Sequence, residues 1–512
     1  MEVEALNRKN ELNLTPSITT SRRVAIDVAK TIPSRATAIG IPVGENGAVP
    51  RDIGLDRTSL AAAGFAGKVG QTLVIPQADG PVVIAVGIGV PKELNAAKLR
   101  DAAAAFARAA KKHSRLATTL TDVAEVRPQD AGQAVVEGVV LARYRYDAFK
   151  HNDSEPSLAE LTLIAEARRA PEVKNGAERG RVIANAAQLA RDLANAPSTH
   201  MTARQMAKIA SSLGSATKLK VEVFDQNDLV RLGCGGLLGV NAGSTEPPRM
   251  IKLRYQPKGA TGHLALVGKG VMYDAGGISL KPTHAMLAMK MDMAGAAAIL
   301  SAMTALDALG CKTAVTGYLM CTDNMPSGSA LRLGDVLRVR GGKTIEVRNT
   351  DAEGRLILAD GLVLATEEEP DAIVDIATLT GACMRALGAE IAGVMGNHQG
   401  LVEQVLNASR STDEPAWQLP LDRRYRSQID SEIADLNNIG GENPGALTAA
   451  LFLSEFVGNV PWAHIDIAGP MNADADQSWR SKGATGYGTR LLIDLALNFR
   501  RPVGAIDAQR AA

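Results

Sequence analysis

The feature that most constrains this chain is an alternation of short apolar runs with helix-length segments between about residues 200 and 470. The runs are KLKVEVFD (218–225), MIKLRYQ (250–256), HLALVGKGVMYD (263–274), TAVTGYLMC (313–321), DAIVDIATLT (371–380) and AHIDIAG (463–469). Between them lie DMAGAAAILSAMTALDAL (292–309), GRLILADGLVLATEEE (354–369) and PGALTAALFLSEFV (444–457), all of helical character. Most of the runs are apolar at successive positions rather than at every second one, as expected of strands covered on both faces. The pattern predicts an α/β fold, a mostly parallel or mixed sheet covered by helices. VLRVRGGKTIEVRN (336–349) reads as two strands around Gly341-Gly342.

A similar but weaker alternation occupies about residues 21–170. VAIDVA, TLVIP, VVIAVGIG and LTLIAEA read as strands, and 99–114 and 134–149 as helices. A charged stretch at 167–180 precedes RGRVIANAAQLARDLANAP (179–197), which has helical spacing and stops at Pro197. The expected organisation is an amino-terminal α/β domain over 1–170, a linker helix within 171–199 and a second domain over 200–512. Residues 1–20 read as a polar arm and the last twelve as a frayed end.

Composition narrows the function. Hydrophobic residues make up 46% of the 512 and charged residues 22%, the globular range. With 56 basic and 55 acidic residues the net charge is +1, so no global attraction to nucleic acid or to acidic membranes is expected. This leaves room only for a local basic patch in the first 170 residues. No apolar run approaches a membrane span, and the acidic start of the chain lacks signal-peptide character. Four scattered cysteines without C-x-x-C spacing fit a reducing, cytoplasmic setting. Familiar catalytic motifs fail. Leu337 stands where a phosphate loop ending at Lys343-Thr344 needs glycine, Lys92 stands where a dinucleotide fingerprint needs one, and Met325 breaks a nucleophile elbow around Ser327.

Two segments then stand out. One contains Lys269, Asp274, Gly276-Gly277, Lys281 and Asp292; the other is Asn349-Thr350-Asp351-Ala352-Glu353-Gly354-Arg355. Each charged group lies beside the end of a strand or the start of a helix, where open α/β sheets bind ligands. Four carboxylates gathered there would repel one another unless cations bind. With only seven His and four Cys in the chain, hard oxygen ligands point to divalent metal. Each residue also has a plain reading. Asp292 could cap a helix, Asp351 and Glu353 could favour a helix dipole, the lysines could be solvated and the glycines could only turn the chain. A dinuclear phosphoesterase and a metal-stabilised binding protein are the competing functional readings; the first usually recruits several His, which these segments lack.

The same residues resemble the leucyl aminopeptidase family, the cytosol aminopeptidases. Its signature N-T-D-A-E-G-R-L stands complete at Asn349–Leu356. Matching elements occur at Gly268-Lys269-Gly270, Asp274–Gly277, Lys281-Pro282, Met291–Ala297, Asn324–Gly328, Ala377–Cys383, His464–Gly469 and Gly483–Gly486, in order across about 180–495. The resemblance implies a two-metal exopeptidase releasing leucine and other apolar residues from peptides, a bridging hydroxide attacking the scissile carbonyl. It implies Asp274 and Glu353 as bridging ligands, Asp292 and Lys269 at the tighter site and Asp351 at the looser one. It implies Mn²⁺ or Zn²⁺, with Mg²⁺ a further candidate. Lys281 and Arg355 would be catalytic, Arg355 holding bicarbonate as general base. Met289, Thr378, Leu379, Ala468 and Met471 would line the first side-chain pocket; Met289 and Met471 are also read as ordinary core. A cytoplasmic homohexamer is implied as well.

Overall fold

A computed structural model describes residues 12–19, 23–151, 155–504 and 506. The polar arm and the frayed end lie largely outside the described residues. The chain divides into two compact units. The first comprises Met1–Asp192 with Ala473–Gly483, and the second Leu193–Asn472 with Ala484–Ala512. The boundary falls in the last turn of a long helix, Ala170–Asn195. This helix starts earlier than the 179–197 spacing predicts.

The first unit holds a six-stranded sheet of β1 (Ala25–Ala29), β2 (Ala38–Val43), β3 (Thr72–Ile75), β4 (Val82–Gly87), β5 (Arg115–Thr118) and β6 (Glu160–Ile164), in the order β1-β6-β5-β2-β4-β3. All neighbours are parallel except β3 and β4. β2 and β5 escape the sequence reading. AIGIPV carries a Gly and a Pro that argue against a strand, and RLAT is very short. One face packs Phe106, Val135, Leu161 and Leu163 into a core with the helices Ala96–Ala109 and Pro128–Ala142. The first of these helices starts before residue 99 because Asn95 caps it, its Oδ1 accepting from the Lys98 amide at 3.0 Å. The second starts with Pro128 in its first turn, where a missing N–H costs nothing.

The second unit is built on an eight-stranded sheet. Its strands include β7 (Lys220–Phe224), β8 (Arg249–Tyr255), β9 (His263–Asp274) and β10 (Ala314–Asn324). A separate small sheet contains β11 (Val336–Arg338), β12 (Thr344–Glu346) and β16 (Leu436–Asn437). The large sheet is completed by β13 (Ala372–Ala377), β14 (Ala392–Gly396), β15 (Ala416–Gln418) and β17 (Trp462–Asp466), giving the order β15-β14-β17-β13-β9-β10-β8-β7. The four central strands, β17, β13, β9 and β10, run parallel. β8 and β14 flank them in antiparallel sense. β9 is buried over nearly its whole length. The helix Ala294–Ala305 covers one face, where a Cβ at Gly268 would lie 2.9 Å from the Ala296 backbone. The helix Gly354–Thr366 covers the other, where a Cβ at Gly361 would lie 2.7 Å from Val267. Adjacent strand residues 267 and 268 thus meet opposite helices, as period-two geometry requires. The four cysteines are free and buried, and no described helix is long and apolar enough to cross a membrane.

Close helix packing in the first unit generates a stability prediction. Glycine to alanine in a helix ordinarily gains up to about 1 kcal/mol. At Gly138 a Cβ would stand 2.3 Å from the Arg100 carbonyl oxygen on the neighbouring helix. Gly138→Ala should therefore destabilise, by about 1–3 kcal/mol as overpacking does, seen as a lower urea midpoint for the first unit.

Candidate metal centre

The carboxyl ends of the central strands carry the charged cluster. Lys269 lies within β9 and is buried, and Asp274 is the last residue of that strand. Glycine makes space for the lysine: a Cβ at Gly354 would fall 2.8–2.9 Å from its Cδ, Cε and Nζ. Lys269 Nζ lies 2.9 Å from Asp292 Oδ2 and 2.8 Å from Glu353 Oε1, and donates to the Thr378 carbonyl at 2.8 Å. Lys281 approaches from the loop beyond β9, with Nζ 2.8 Å from Asp274 Oδ2 and 2.6 Å from Asp351 Oδ1. Asp274, Asp351 and Glu353 each bring a carboxylate oxygen within 4.8 Å of the others. The two segments singled out in the sequence therefore meet at one edge of the sheet.

The capping reading of Asp292 fails on geometry. Asp292 does not cap the helix Ala294–Ala305; Met293 holds the cap position without a side-chain bond, and Asp292 Oδ1 instead accepts from Thr378 Oγ1 at 2.7 Å. Glu353 holds the cap position of Gly354–Thr366, yet its side chain caps nothing and turns to Lys269. Lys269 is not solvated. Gly276 and Gly277 do turn the chain, with φ of 89° and 63°. They also leave space: a Cβ at Gly276 would stand 2.8 Å from Asp351 Oδ1.

Uncharged residues fix these groups, and the sequence reading assigned none of them but Thr378 a role. Asn324 ends β10 and donates through Nδ2 to Asp274 Oδ1 at 2.8 Å and to the Thr350 carbonyl at 3.0 Å. The Gly276 amide donates to the same Asp274 oxygen at 2.8 Å. Thr350 Oγ1 donates to the Gly276 carbonyl at 2.7 Å and accepts from the Ser279 amide at 2.8 Å, joining the two segments. Asn438, just beyond β16, accepts from the Arg348 amide at 2.8 Å and donates to the Asn349 carbonyl at 2.6 Å. The available signal for Asn324 was its position at the end of an apolar strand beside the D-N-M-P turn. Nothing in the sequence pointed to Asn438, which is remote from the motif it holds.

Burial dominates the electrostatics. It raises the pKa of Asp274 to about 6, with the Glu353 charge adding to the rise. It raises Asp292 and Asp351 too, again with Glu353 contributing. Glu353 resists: burial opposes its ionisation, but Lys269 and Lys281 prevail and hold its pKa below the usual value. Burial also opposes charge on both lysines, and the carboxylates outweigh it and raise their pKa values. Burial lowers Arg355 to about 10.

The donor set fits divalent metal. Asp292 Oδ2 and Asp351 Oδ1 are buried oxygens that receive no aligned hydrogen bond, although a lysine stands within ion-pair distance of each. Four carboxylates against two lysines leave acceptor capacity and negative charge for hard cations. Arg355, two residues beyond Glu353, is buried with Nε and Nη1 unpartnered, as an anion-binding group would be. Of the expected pocket residues, Thr378 is buried and Met289, Leu379, Ala468 and Met471 are half-buried. Thr378 and Leu379 follow β13, and Ala468 and Met471 follow β17.

Known proteins resemble the chain over most of its length. Residues 188–493 match the catalytic domain of the cytosol aminopeptidase family, and residues 54–153 match that family's N-terminal domain. The chain is 44% identical over 457 residues to a probable cytosol aminopeptidase of Streptomyces avermitilis, covering 85% of this chain and 88% of that one. It is 45% identical over 381 residues to a probable cytosol aminopeptidase of Chlorobaculum tepidum, covering 72% and 75%. Among solved structures, the bottromycin maturation enzyme BotP in complex with Mn superposes with a TM-score of 0.83 at 38% identity, covering 90% of this chain and 99% of that one. A mutant tomato leucine aminopeptidase superposes with a TM-score of 0.84 at 30% identity, covering 93% and 96%. The chain belongs to the cytosol aminopeptidase family of metal-dependent exopeptidases.

Proposed function

We propose that this enzyme releases amino-terminal leucine and other apolar residues from peptides at a two-metal centre. The observation that carries the reading is the donor set itself: Asp274, Asp292, Asp351, Glu353 and Lys269 converge with buried oxygens left open. Asp274, Asp292, Asp351, Glu353 and Lys269 would hold the two ions. Mn²⁺ or Zn²⁺ suits this set, and Mg²⁺ is the third candidate. When bound, two such cations supply Lewis acidity, activating water near neutral pH and polarising a carbonyl.

The chain's own groups do the rest. The free α-amine of a peptide end, which an internal peptide bond lacks, would be held beside Asp292. Lys281 keeps its proton and stabilises negative charge developing on the carbonyl oxygen. Arg355 offers two open N–H groups to a small oxyanion, bicarbonate in this reading, whose chemistry when bound is that of a general base. Met289, Thr378, Leu379, Ala468 and Met471 form the side-chain pocket, and the flexible thioethers suit leucine and methionine. A catalytic domain over 200–512, an amino-terminal domain over 1–170, homohexameric assembly and a cytoplasmic setting belong to the same reading and rest on family membership.

Removing metal with a chelator should abolish leucine-amide hydrolysis, and Mn²⁺ should restore it. Glu353→Ala should bind fewer than two metals by elemental analysis and lose turnover while keeping its circular dichroism; wild-type hydrolysis by this variant would refute the centre. Lys281→Ala should lower kcat by about 10²-fold with metal content unchanged, as loss of an oxyanion donor does. Loss of metal instead would place Lys281 among the ligands.

Lys269 gives a fourth expectation. Its ammonium lies against Asp292 and Glu353 and must lose a proton to become a ligand. Calorimetric titration of the metal-free enzyme in two buffers of different ionisation enthalpy should show release of about one proton at the tighter site. Lys269→Met should abolish that release.

A further inference from the structure

We infer that Asp466 is a positioning residue for substrate specificity, holding together the two loops that form the side-chain pocket. The inference rests on the pocket proposed above and names the group that fixes its shape. Asp466 is the last residue of β17 and stands opposite Ala377, the last residue of β13. Its side chain is fully buried. Oδ1 accepts from the Ala468 amide at 3.1 Å, from the Leu379 amide at 3.2 Å and, at a longer 3.4 Å, from the Thr380 amide. Oδ2 accepts from Thr380 Oγ1 at 2.7 Å. A carboxylate has about four lone-pair sites, and four donors converge on this one.

The donors come from both loops. Leu379 and Thr380 follow β13, Ala468 follows β17, and Leu379 and Ala468 are pocket residues. Both are half-buried whereas Asp466 is closed off, so the anchor sets the wall without being part of its surface. Fixing an amide N–H fixes the peptide plane, and with it the direction in which that residue's side chain leaves the backbone. The second loop is braced further: the Ile467 amide donates to the Ala377 carbonyl at 2.8 Å and the Met471 amide to the Ile467 carbonyl at 3.1 Å. Thr378, the residue before Leu379, is tied elsewhere. Its Oγ1 donates to Asp292 Oδ1 at 2.7 Å and its carbonyl accepts from Lys269 Nζ at 2.8 Å. Residues 378–380 are therefore held at one end by two candidate metal ligands and at the other by Asp466. Removing the Asp466 carboxylate frees the pocket end and leaves the metal end attached, so discrimination between side chains is lost ahead of metal.

The test compares leucine amide with alanine amide, whose methyl group fills little of such a pocket, on the metal-loaded enzyme. Asp466→Ala should lower the ratio of the two kcat/KM values by about tenfold, the scale on which an apolar pocket discriminates. The change should come through a higher KM for leucine amide, as loss of ground-state binding does, with metal content by elemental analysis unchanged. Asp466→Asn should restore most of the ratio, because its Oδ1 can still accept from the three amides while its Nδ2 donates to Thr380 Oγ1. If Asp466→Ala lowers kcat for both amides by the same factor, leaves the ratio unchanged or loses metal, the inference is overturned. If Asp466→Ala does not fold, Thr380→Val removes the shortest of the four bonds and should lower the ratio by about threefold through the same KM; an unchanged ratio there overturns the inference equally. Ala468→Leu, which fills the pocket, tests the reading beneath it. If that variant leaves the ratio at the wild-type value, the pocket is wrongly placed, and the inference falls with it for that separate reason.

Discussion

The structure of the catalytic edge depends on one electrostatic problem, the mutual repulsion of four carboxylates in a region that water hardly reaches. Two unit charges 4 Å apart repel by about 4 kcal/mol at the effective dielectric near a protein surface. Asp274, Asp292, Asp351 and Glu353 would not stay together against several such terms. Two lysines relieve them from different directions. Lys269 reaches Asp292 and Glu353 from inside β9, and Lys281 reaches Asp274 and Asp351 from the loop beyond it. Each cation bridges two acids, so each acid has one positive neighbour. A dication at such a bridge would bring twice the charge of a lysine.

Backbone shape is subordinate to that arrangement. Lys269 lies flat against the start of the helix Gly354–Thr366 because residue 354 has no side chain. The turn after Asp274 uses glycine at 276 and 277 for a left-handed backbone, and the missing Cβ atoms also clear Asp351, Asn324 and Thr350. One residue type thus answers two demands at the same position, which is why the G-G pair and the G of A-E-G-R belong to the chemistry as much as the acids do.

Much of this was legible in the sequence, and the parts that were not share a cause. The parallel centre of the second sheet showed as long apolar runs because β9, β10 and β13 are buried on both faces. β2 and β15 escaped because they carry breaking residues or span three residues at an edge. The five metal-ligand candidates showed as charge placed beside apolar runs, where charge is expensive. Asn324 and Asn438 did not, since a single amide is cheap anywhere in a sequence and gains meaning only from what it touches. Their work is nonetheless specific: Asn324 ties Asp274 to the Thr350 carbonyl, and Asn438 ties the signature loop to β16. His464 and Asp375 read as plain strand residues for the same reason; their pairing exists only across β13 and β17.

Topology explains why these strands and no others contribute. A parallel strand followed by a helix always ends at the same edge of its sheet, so successive βα units deliver successive loops to one place. β9 delivers Asp274 and Lys281, β10 delivers Asn324, β13 delivers Thr378, and β17 delivers Asp466, whose oxygens accept from Thr380 Oγ1 at 2.7 Å and from the Leu379 amide at 3.2 Å. The antiparallel strands β8 and β14 end at the opposite edge and supply no donor to the centre. Asp292, Asp351 and Glu353 come instead from the entries of the two helices that cover the sheet, brought down onto the strand ends from opposite faces. A site with acids from both covering layers, one lysine from the strand between them and one from the loop beyond it cannot form until both layers have packed, so the candidate metal centre depends on the completed fold rather than on any one segment of it.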